Sequence, residues 1–403
     1  MGFGQGLSGL NAAAQNLDVI GNNIANSGTV GFKAATATFA DVYASSRVGL
    51  GVQVASVNQR FSVGTISSTG NQLDMAIDGA KGMFRVQDAS GNVLYTRNGQ
   101  FFADKDNNIV NAQGHRLTGY GVTGTDLAPI KVPIGNIAPQ VTSELTTKTN
   151  LDANAPVVTI PFDVTNPSSY THSLPITVYD SLGNGHQVMQ YFIKKDAASA
   201  NESTWEVRYT VDGSTANITA PAGAVSTLTF DKSGRLLNGG NVTLGITNPG
   251  GTVSPVADMS VAINYGGSTQ FGGDFSPNFT QNGYATGEYA GMSISSDGSI
   301  VANYTNGETQ AMGFLALADF NNLQGLQPVG GNAWVETGAS GQPVVGRPGA
   351  NGLATIKGQA VEESNVDMSQ ELVNMIIAQR TYQANAQTIK TQDQIMQTLM
   401  QMR

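Results

Sequence analysis

Residues 3–24 read FGQGLSGLNAAAQNLDVIGNNI, in which Phe3, Leu7, Leu10, Ala14, Leu17, Gly21 and Ile24 recur in alternating steps of four and three. That alternation marks one face of an amphipathic helix. The chain closes with the same device. Met368, Leu372, Met375, Gln379, Tyr382, Ala386, Ile389, Asp393, Met396 and Met400 form a stripe that only Gln379 and Asp393 interrupt. Asp367 and Gln370 offer a capping box at its start. With no Gly or Pro beyond them, the second helix is expected to run roughly 50 Å at a rise of 1.5 Å per residue. Gly2, Gly4, Gly6 and Gly9 each cost on the order of 1 kcal/mol in a helix interior, so the first helix needs a partner to stay formed. Pairing the two stripes covers part of both, within one molecule or between molecules. The expected contact sets Leu7, Leu10, Leu17, Ile20 and Ile24 against Leu372, Met375, Tyr382, Ile389 and Met396.

A second stripe on the C-terminal helix, Gln383, Gln387, Lys390, Gln394, Gln397 and Gln401, is polar yet almost uncharged. Solvated helix faces usually favour Glu and Lys. Gln383, Gln387, Gln394, Gln397 and Gln401 are therefore assigned, as a hypothesis, to a wet channel wall that does not grip passing chains.

Between the helices the pattern changes to short runs of β-formers separated by turn signals. Asp88-Ala-Ser-Gly91, Asp180-Ser-Leu-Gly183 and Asp231-Lys-Ser-Gly234 repeat one Asp-x-x-Gly device, with a shorter Ser296-Asp297-Gly298 later. The Asp side chain bonds back to the turn backbone and the Gly takes a positive φ. The expected fold is mainly β with long N- and C-terminal α-helices, nested in sequence. Residues 1–70 and 360–403 form a terminal helical domain, 71–144 and 283–359 a discontinuous β domain, and 145–282 an inserted outer β domain. The Pro-, Thr- and Asn-rich stretch from Ala128 and SPNFTQNGYATGEY from Ser276 mark the way into the insert and out of it. An inserted domain requires those two points to lie close together.

Composition excludes several classes of function. Only 12% of the 403 residues are charged and the net charge is -9, so the clustered Lys and Arg that nucleic-acid binding requires are missing. Cys is absent, which removes disulfides, thiolate nucleophiles and Cys-based metal sites. No basic n-region with a continuous apolar run opens the chain, and no stretch has the length of a membrane span. The histidines His115, His172 and His186 are isolated in sequence and read as surface or turn residues, without metal-binding spacing. Asp104-Lys-Asp106-Asn-Asn108 opens like a calcium loop but has Ile109 where Gly is required and His115 where Glu is required. Gly338-Ala-Ser340-Gly341 lacks the esterase elbow. No catalytic, cofactor or metal residue is assigned. Glu362-Glu363 reads as favourable charge near a helix N-terminus.

Leu7-Ser-Gly-Leu-Asn-Ala-Ala-Ala14, Asn16-Leu-Asp-Val-Ile-Gly-Asn-Asn-Ile-Ala-Asn26 and Gly31-Phe-Lys33 resemble the N-terminal signature of the flagellar rod and hook axial family. Glu363-Ser-Asn-Val-Asp367, Glu371-Leu-Val-Asn-Met-Ile376, Gln379-Arg-Thr-Tyr382, Asn385, Thr388-Ile-Lys-Thr391 and Asp393 resemble its C-terminal signature. The middle region, including LPITVYDSLGNGHQVMQYFIKK, looks like the extra β domain that separates the hook branch from the shorter rod proteins. Val30 departs from the Pro that many rod relatives carry.

The resemblance implies a structural, non-enzymatic subunit of the flagellar hook. It would leave the cell by the flagellar type III export apparatus without a cleaved signal peptide and polymerise into a curved tube. Such a tube acts as a universal joint carrying torque from motor and rod to filament. Implied partners are further copies of the chain, the distal rod protein, the hook cap, the hook-filament junction proteins and the hook-length ruler, with no nucleic acid and no membrane insertion. Asn22, Asn23 and Asn26, with Gly28 and Gly31, are expected to make the turn after the first helix. The competing readings are another axial component, such as the distal rod or hook-filament junction, and a secreted β-rich carbohydrate-binding protein. The latter needs an aromatic platform, for which Trp205 and Trp334 are the only tryptophans.

Overall fold

The computed structural model describes residues 3–42, 49–133, 135–197, 199, 201–251 and 255–401. Helix α1 (Phe3–Ala25) opens the chain and helix α2 (Met368–Gln401) closes it. Everything between is β, apart from three short 3-10 turns among the described residues. The mainly β fold with terminal helices is as the sequence predicts. The chain divides into two compact units. The first comprises Met1–Ile134, Gly291–Asn303 and Thr309–Arg403, and the second Gly135–Ala290 with Tyr304–Glu308.

In the first unit, strands from either side of the insertion interleave. Met83–Gln87 pairs with Val93–Thr96 and also with Leu317–Asp319. Ala333–Val335 pairs with Val93–Thr96, and Thr309–Leu315 pairs with Arg116–Tyr120. Nearer the termini, Thr355–Gly358 lies antiparallel to Met75–Asp78, and Ala360–Glu362 to Ile66–Ser68. The segment leading into α2 is thus bound strand by strand to the segment that follows α1. A hairpin of β1 (Ala35–Val42) and β2 (Gly51–Gln59) packs on α1.

The second unit holds two five-stranded sheets. Their alternating strands, such as Met259–Asn264 with every other residue buried, feed one shared core that includes Leu145, Phe192, Trp205, Phe230 and Tyr265. Such alternation is what a sheet with one buried face requires. The unit's first strand, Glu144–Asn150, pairs directly with Ser276–Gln281, which leads out. The two ends of the insertion therefore adjoin.

The Asp turns are built as read. Asp88, Asp180 and Asp231 each accept backbone N–H bonds from the residues two and four positions on, at 2.7–2.9 Å. Gly91, Gly183 and Gly234 take φ of 91°, 85° and 73°. Asp104 and Asn111 make the same turn. Asn107 with φ 62° stands in for glycine in the first of these, which accounts for the sequence that resembled a calcium loop.

Candidate assembly surfaces and the junction that presents them

Helices α1 and α2 pack antiparallel. Gly6 faces Ile389 and Gly9 faces Asn385, whereas Ile20, nearer the other end, shares a groove with Glu371 and Asn374. The close approach depends on missing side chains. A Cβ on Gly9 would lie 2.9 Å from Asn385 Oδ1, and one on Gly6 3.1 Å from Ile389 Cγ1. Two of the glycines that weaken α1 in isolation, Gly6 and Gly9, are therefore where α2 approaches it, while Gly4 has open space around it. The face of α1 buried within the chain is Gly6, Ala12, Ala13, Ile20 and Asn23. Opposite, Ala378 and Glu371 are the buried residues of α2. An apolar groove of about 570 Å3 remains among the two helices and the hairpin, lined by Gly9, Ala13, Phe39, Ile377, Ala378 and Asn385 among others.

Most of this intrachain seam sits one residue away from the large-residue stripes, a rotation of about 100° at 3.6 residues per turn, although Ile389 of the stripe meets Gly6. Of the predicted contact set, Ile20 is buried and Leu10, Leu17, Ile24, Met375 and Ile389 are half-buried. Leu7, Leu372, Tyr382 and Met396 are exposed, Leu7 by 44% and Met396 by 53%. Phe3, Met368, Val373, Ile376, Ile395 and Met400 are exposed beside them. The end of α2 beyond the Gly6–Ile389 contact runs past α1, so Ile395, Met396 and Met400 have no helix of their own chain over them. The glutamines Gln383, Gln387, Gln394, Gln397 and Gln401 all face solvent. Asp367 caps α2 by accepting from Ser369 N and Gln370 N, while the Gln370 side chain turns forward to Asn374 rather than closing the box.

The turn after α1 uses its asparagines as backbone surrogates. Asn23, almost fully buried, exchanges two hydrogen bonds with the Ala35 backbone at 2.8 and 2.9 Å. Asn26 Nδ2 donates to Asn22 O and Asn22 Oδ1. Gly31 takes φ 71° and would place a Cβ 2.5 Å from Asn98 N, whereas Gly28 is exposed with open space around it.

Just beyond this turn lies a feature whose importance the sequence reading missed. The Glu362 carboxylate is fully buried and accepts from Lys33 Nζ at 2.5 Å, Gly64 N at 2.9 Å and Arg97 Nη1 at 3.1 Å. Lys33 also donates to Ser62 O, and Arg97 to Gly79 O and Ala80 O. Asn365 accepts from Ala34 N and donates to Arg60 O. Burial pulls the Lys33 amine below its ordinary range, against the opposing pull of Glu362. Glu362 is thus not a helix-dipole charge, as the sequence suggested, but the centre of a buried ion cluster. Only its juxtaposition with Lys33, 329 positions away, reveals that role.

In the second unit, His186 is buried rather than at the surface. Its Nδ1 lies 2.8 Å from Asp212 Oδ2 and its Nε2 3.2 Å from Asp180 Oδ2. Burial opposes charging of the ring, but the two carboxylates outweigh it and raise the imidazole pKa. No cluster of three His, Asp or Glu suited to a metal occurs among the described residues. Trp205 and Trp334 are both buried, so neither offers a stacking platform.

A β body with paired terminal helices that expose Leu7, Leu372, Tyr382 and Met396 presents apolar surface of the kind found on subunits of assemblies. The termini, residues 5–33 and 357–402, match the flagella basal body rod protein family and the flagellar basal body rod FlgEFG protein C-terminal family. Residues 76–168 match the flagellar hook protein FlgE/F/G D1 domain, and residues 150–284 the flagellar basal body protein FlaE D2 domain. The flagellar hook protein FlgE of Salmonella typhimurium is 45% identical over 414 residues, covering 100% of both chains. That of Escherichia coli is 44% identical over 415 residues, again covering 100% of both, and that of Brucella suis is 32% identical, covering 99% of this chain and 98% of its own. The crystal structure of Helicobacter pylori flagellar hook protein FlgE2 shares the fold, with a TM-score of 0.56 at 13% identity over 73% of this chain and 100% of that one. The chain belongs to the flagellar hook protein FlgE family, a family of structural flagellar proteins and not of enzymes.

Proposed function

We propose that this hook subunit polymerises through its terminal helices, and that Leu7, Leu10, Leu17, Ile24, Leu372, Met375, Tyr382 and Met396 form the seams between copies. One observation carries the reading: the buried face of α1 is mostly small residues, while Leu7, Leu372, Tyr382 and Met396 are exposed and Leu10, Leu17, Ile24 and Met375 are only half-buried. Fully burying one such side chain is worth roughly 1.5–3 kcal/mol, so a repeated seam supplies a large driving force. The exposed glutamine face of α2 then lines the channel. In functional terms the chain divides into a helical polymerisation domain (1–70 and 360–403), a split β domain (71–144 and 283–359) and an outer inserted domain (145–282). The polar surface of the outer layers, poor in charge, suits contacts that exchange as the tube bends and transmits torque. Export is through the flagellar type III apparatus. The distal rod protein, hook cap, junction proteins and length ruler are the further partners this reading calls for.

The test is assembly in concentrated ammonium sulfate, which strengthens apolar burial, followed by negative-stain electron microscopy. The intact chain should form tubes. Leu7→Asp with Met396→Asp, both exposed in the single chain, should stay folded and monomeric. Tubes from that double variant would refute the seam. An intact chain that never assembles would show that polymerisation needs a cap or template.

A further inference from the structure

The buried cluster of Lys33, Arg97 and Glu362 joins segments that serve different ends. Lys33 lies 8 residues beyond the end of α1, Glu362 lies 6 residues before the start of α2, and Arg97 belongs to the β body between them. One carboxylate binds all three segments and the Gly64 backbone, while Gly31 N donates to Glu362 O at 2.7 Å. The side chains of Lys33 and Glu362 are fully inaccessible to solvent and that of Arg97 nearly so. Two cations and one anion have therefore been taken out of water. A buried ion group of this kind is commonly no more stabilising than well-packed apolar residues of the same volume, although removing one member is costly. Its distinctive property is direction. The planar Arg97 guanidinium donates at once to Glu362, Gly79 O and Ala80 O, so its orientation is set by three acceptors, whereas methionines pack in many ways.

We propose that Lys33, Arg97 and Glu362 are positioning residues that fix the angle at which α1 leaves the β body and α2 departs from it, so that both helices present their uncovered faces in the register assembly needs. This rests on the assembly reading above. Neighbouring bonds act in the same sense. Asn365 Oδ1 accepts from Ala34 N at 2.7 Å and its Nδ2 donates to Arg60 O at 2.6 Å, which ties the start of the hairpin to its end and both to the approach of α2.

The test compares the intact chain with a protein in which Lys33→Met, Arg97→Met and Glu362→Met remove the ions but keep apolar volume. Because the chain has no Cys, spin labels enter cleanly at Ser90→Cys on the body and Gln387→Cys on α2. Distances are measured with each labelled protein as a minor component of tubes built from unlabelled intact chain, or in the monomer if the intact chain forms none, and tube formation by the triple variant alone is scored separately, so that the assembly reading and this inference fail separately. The expected result is an unchanged melting temperature with a displaced or broadened distance distribution and loss of regular tubes. An unchanged distribution in the folded triple variant would overturn the proposal, since packing alone would then set the angle. Should that variant not fold, exchanging the cations (Lys33→Arg with Arg97→Lys) keeps the charge and alters only the geometry. A shifted distribution there sustains the proposal and an unshifted one overturns it.

Discussion

Replacing Gly31 by alanine tests the junction at its tightest point. Gly31 occupies the left-handed region at φ 71°, where an L-residue pays about 1–2 kcal/mol. The added Cβ would also lie 2.5 Å from Asn98 N and 2.6 Å from Arg97 C, both backbone atoms. Those atoms are held from behind, because the Arg97 guanidinium is bound to Gly79 O, Ala80 O and Glu362. Overpacking that the surroundings cannot absorb costs about 1–3 kcal/mol. The expected loss is therefore about 2–5 kcal/mol, or roughly 4–20 °C in the melting temperature of a unit of this size. Gly28→Ala is the internal control. Gly28 has open space around it and no left-handed φ, so alanine there should be neutral or stabilise by up to about 1 kcal/mol. Each unit contains one of the two tryptophans, so unfolding of the first is followed through Trp334 in a Trp205→Phe background. If Gly31→Ala melts within about 2 °C of its parent, less than 1 kcal/mol has been lost and the claim of a rigid junction is wrong.

Glu362→Gln should lower the stability of the first unit by about 3–5 kcal/mol, since Lys33 would be left buried without its carboxylate and Arg97 with only the more distant charge of Asp319; denaturant unfolding through Trp334 measures it, and a loss below about 1 kcal/mol would mean that water reaches the cluster. His186 should make the second unit sensitive to alkali. Its pKa is raised in the folded state, so its contribution is complete below the unfolded value of about 6.5 and is lost as pH rises through the folded value. Melts followed through Trp205 should fall across that window in the parent and not in His186→Gln, and equal slopes would refute the assignment. Gly9→Leu should force α1 off Asn385 and Ile389 at a cost of about 1–3 kcal/mol, read as faster amide exchange along α1. Replacing Gln387, Gln394 and Gln401 by Leu should leave tubes intact but slow export of distal subunits in cells; normal filament growth would argue against a channel role.

Much of this architecture was legible because it is local. The Asp-x-x-Gly turns need only five consecutive residues to specify themselves, and the strands announce their period of two. The nesting was readable from composition, because inserted domains enter and leave through turn-rich segments, and the pairing of Glu144–Asn150 with Ser276–Gln281 meets the requirement that those segments adjoin. The ion cluster was illegible for the opposite reason. Lys33, Arg97 and Glu362 are ordinary charged residues in sequence, and only tertiary structure brings them out of water together. His186 was misjudged in the same way, since nothing in Asn-Gly-His shows that Asp212, 26 positions on, will close over the ring.

The helices are a different case. The sequence leaves their apolar stripes open to contacts within one molecule or between molecules, and the residues used for packing within the chain lie mostly one position away from them, with Ile389 of the stripe meeting Gly6. Reasoning from hydrophobicity assigns the largest residues to the core because a lone globular chain gains most by burying them. Here Gly6 meets Ile389, Gly9 meets Asn385, and Ala13 and Ala378 line the groove beside them, a seam narrow enough for two helices to approach closely but poor in buried apolar area. A chain that spent Leu7, Leu372 and Met396 on itself would have less to offer a neighbour. On the proposed reading, weak internal packing and exposed large residues are two sides of one design, which keeps the free helices marginal and makes their full order depend on the next subunit. On that same reading the displacement of the stripe carries the functional information, and it becomes visible only when the buried face and the apolar face of each helix are compared.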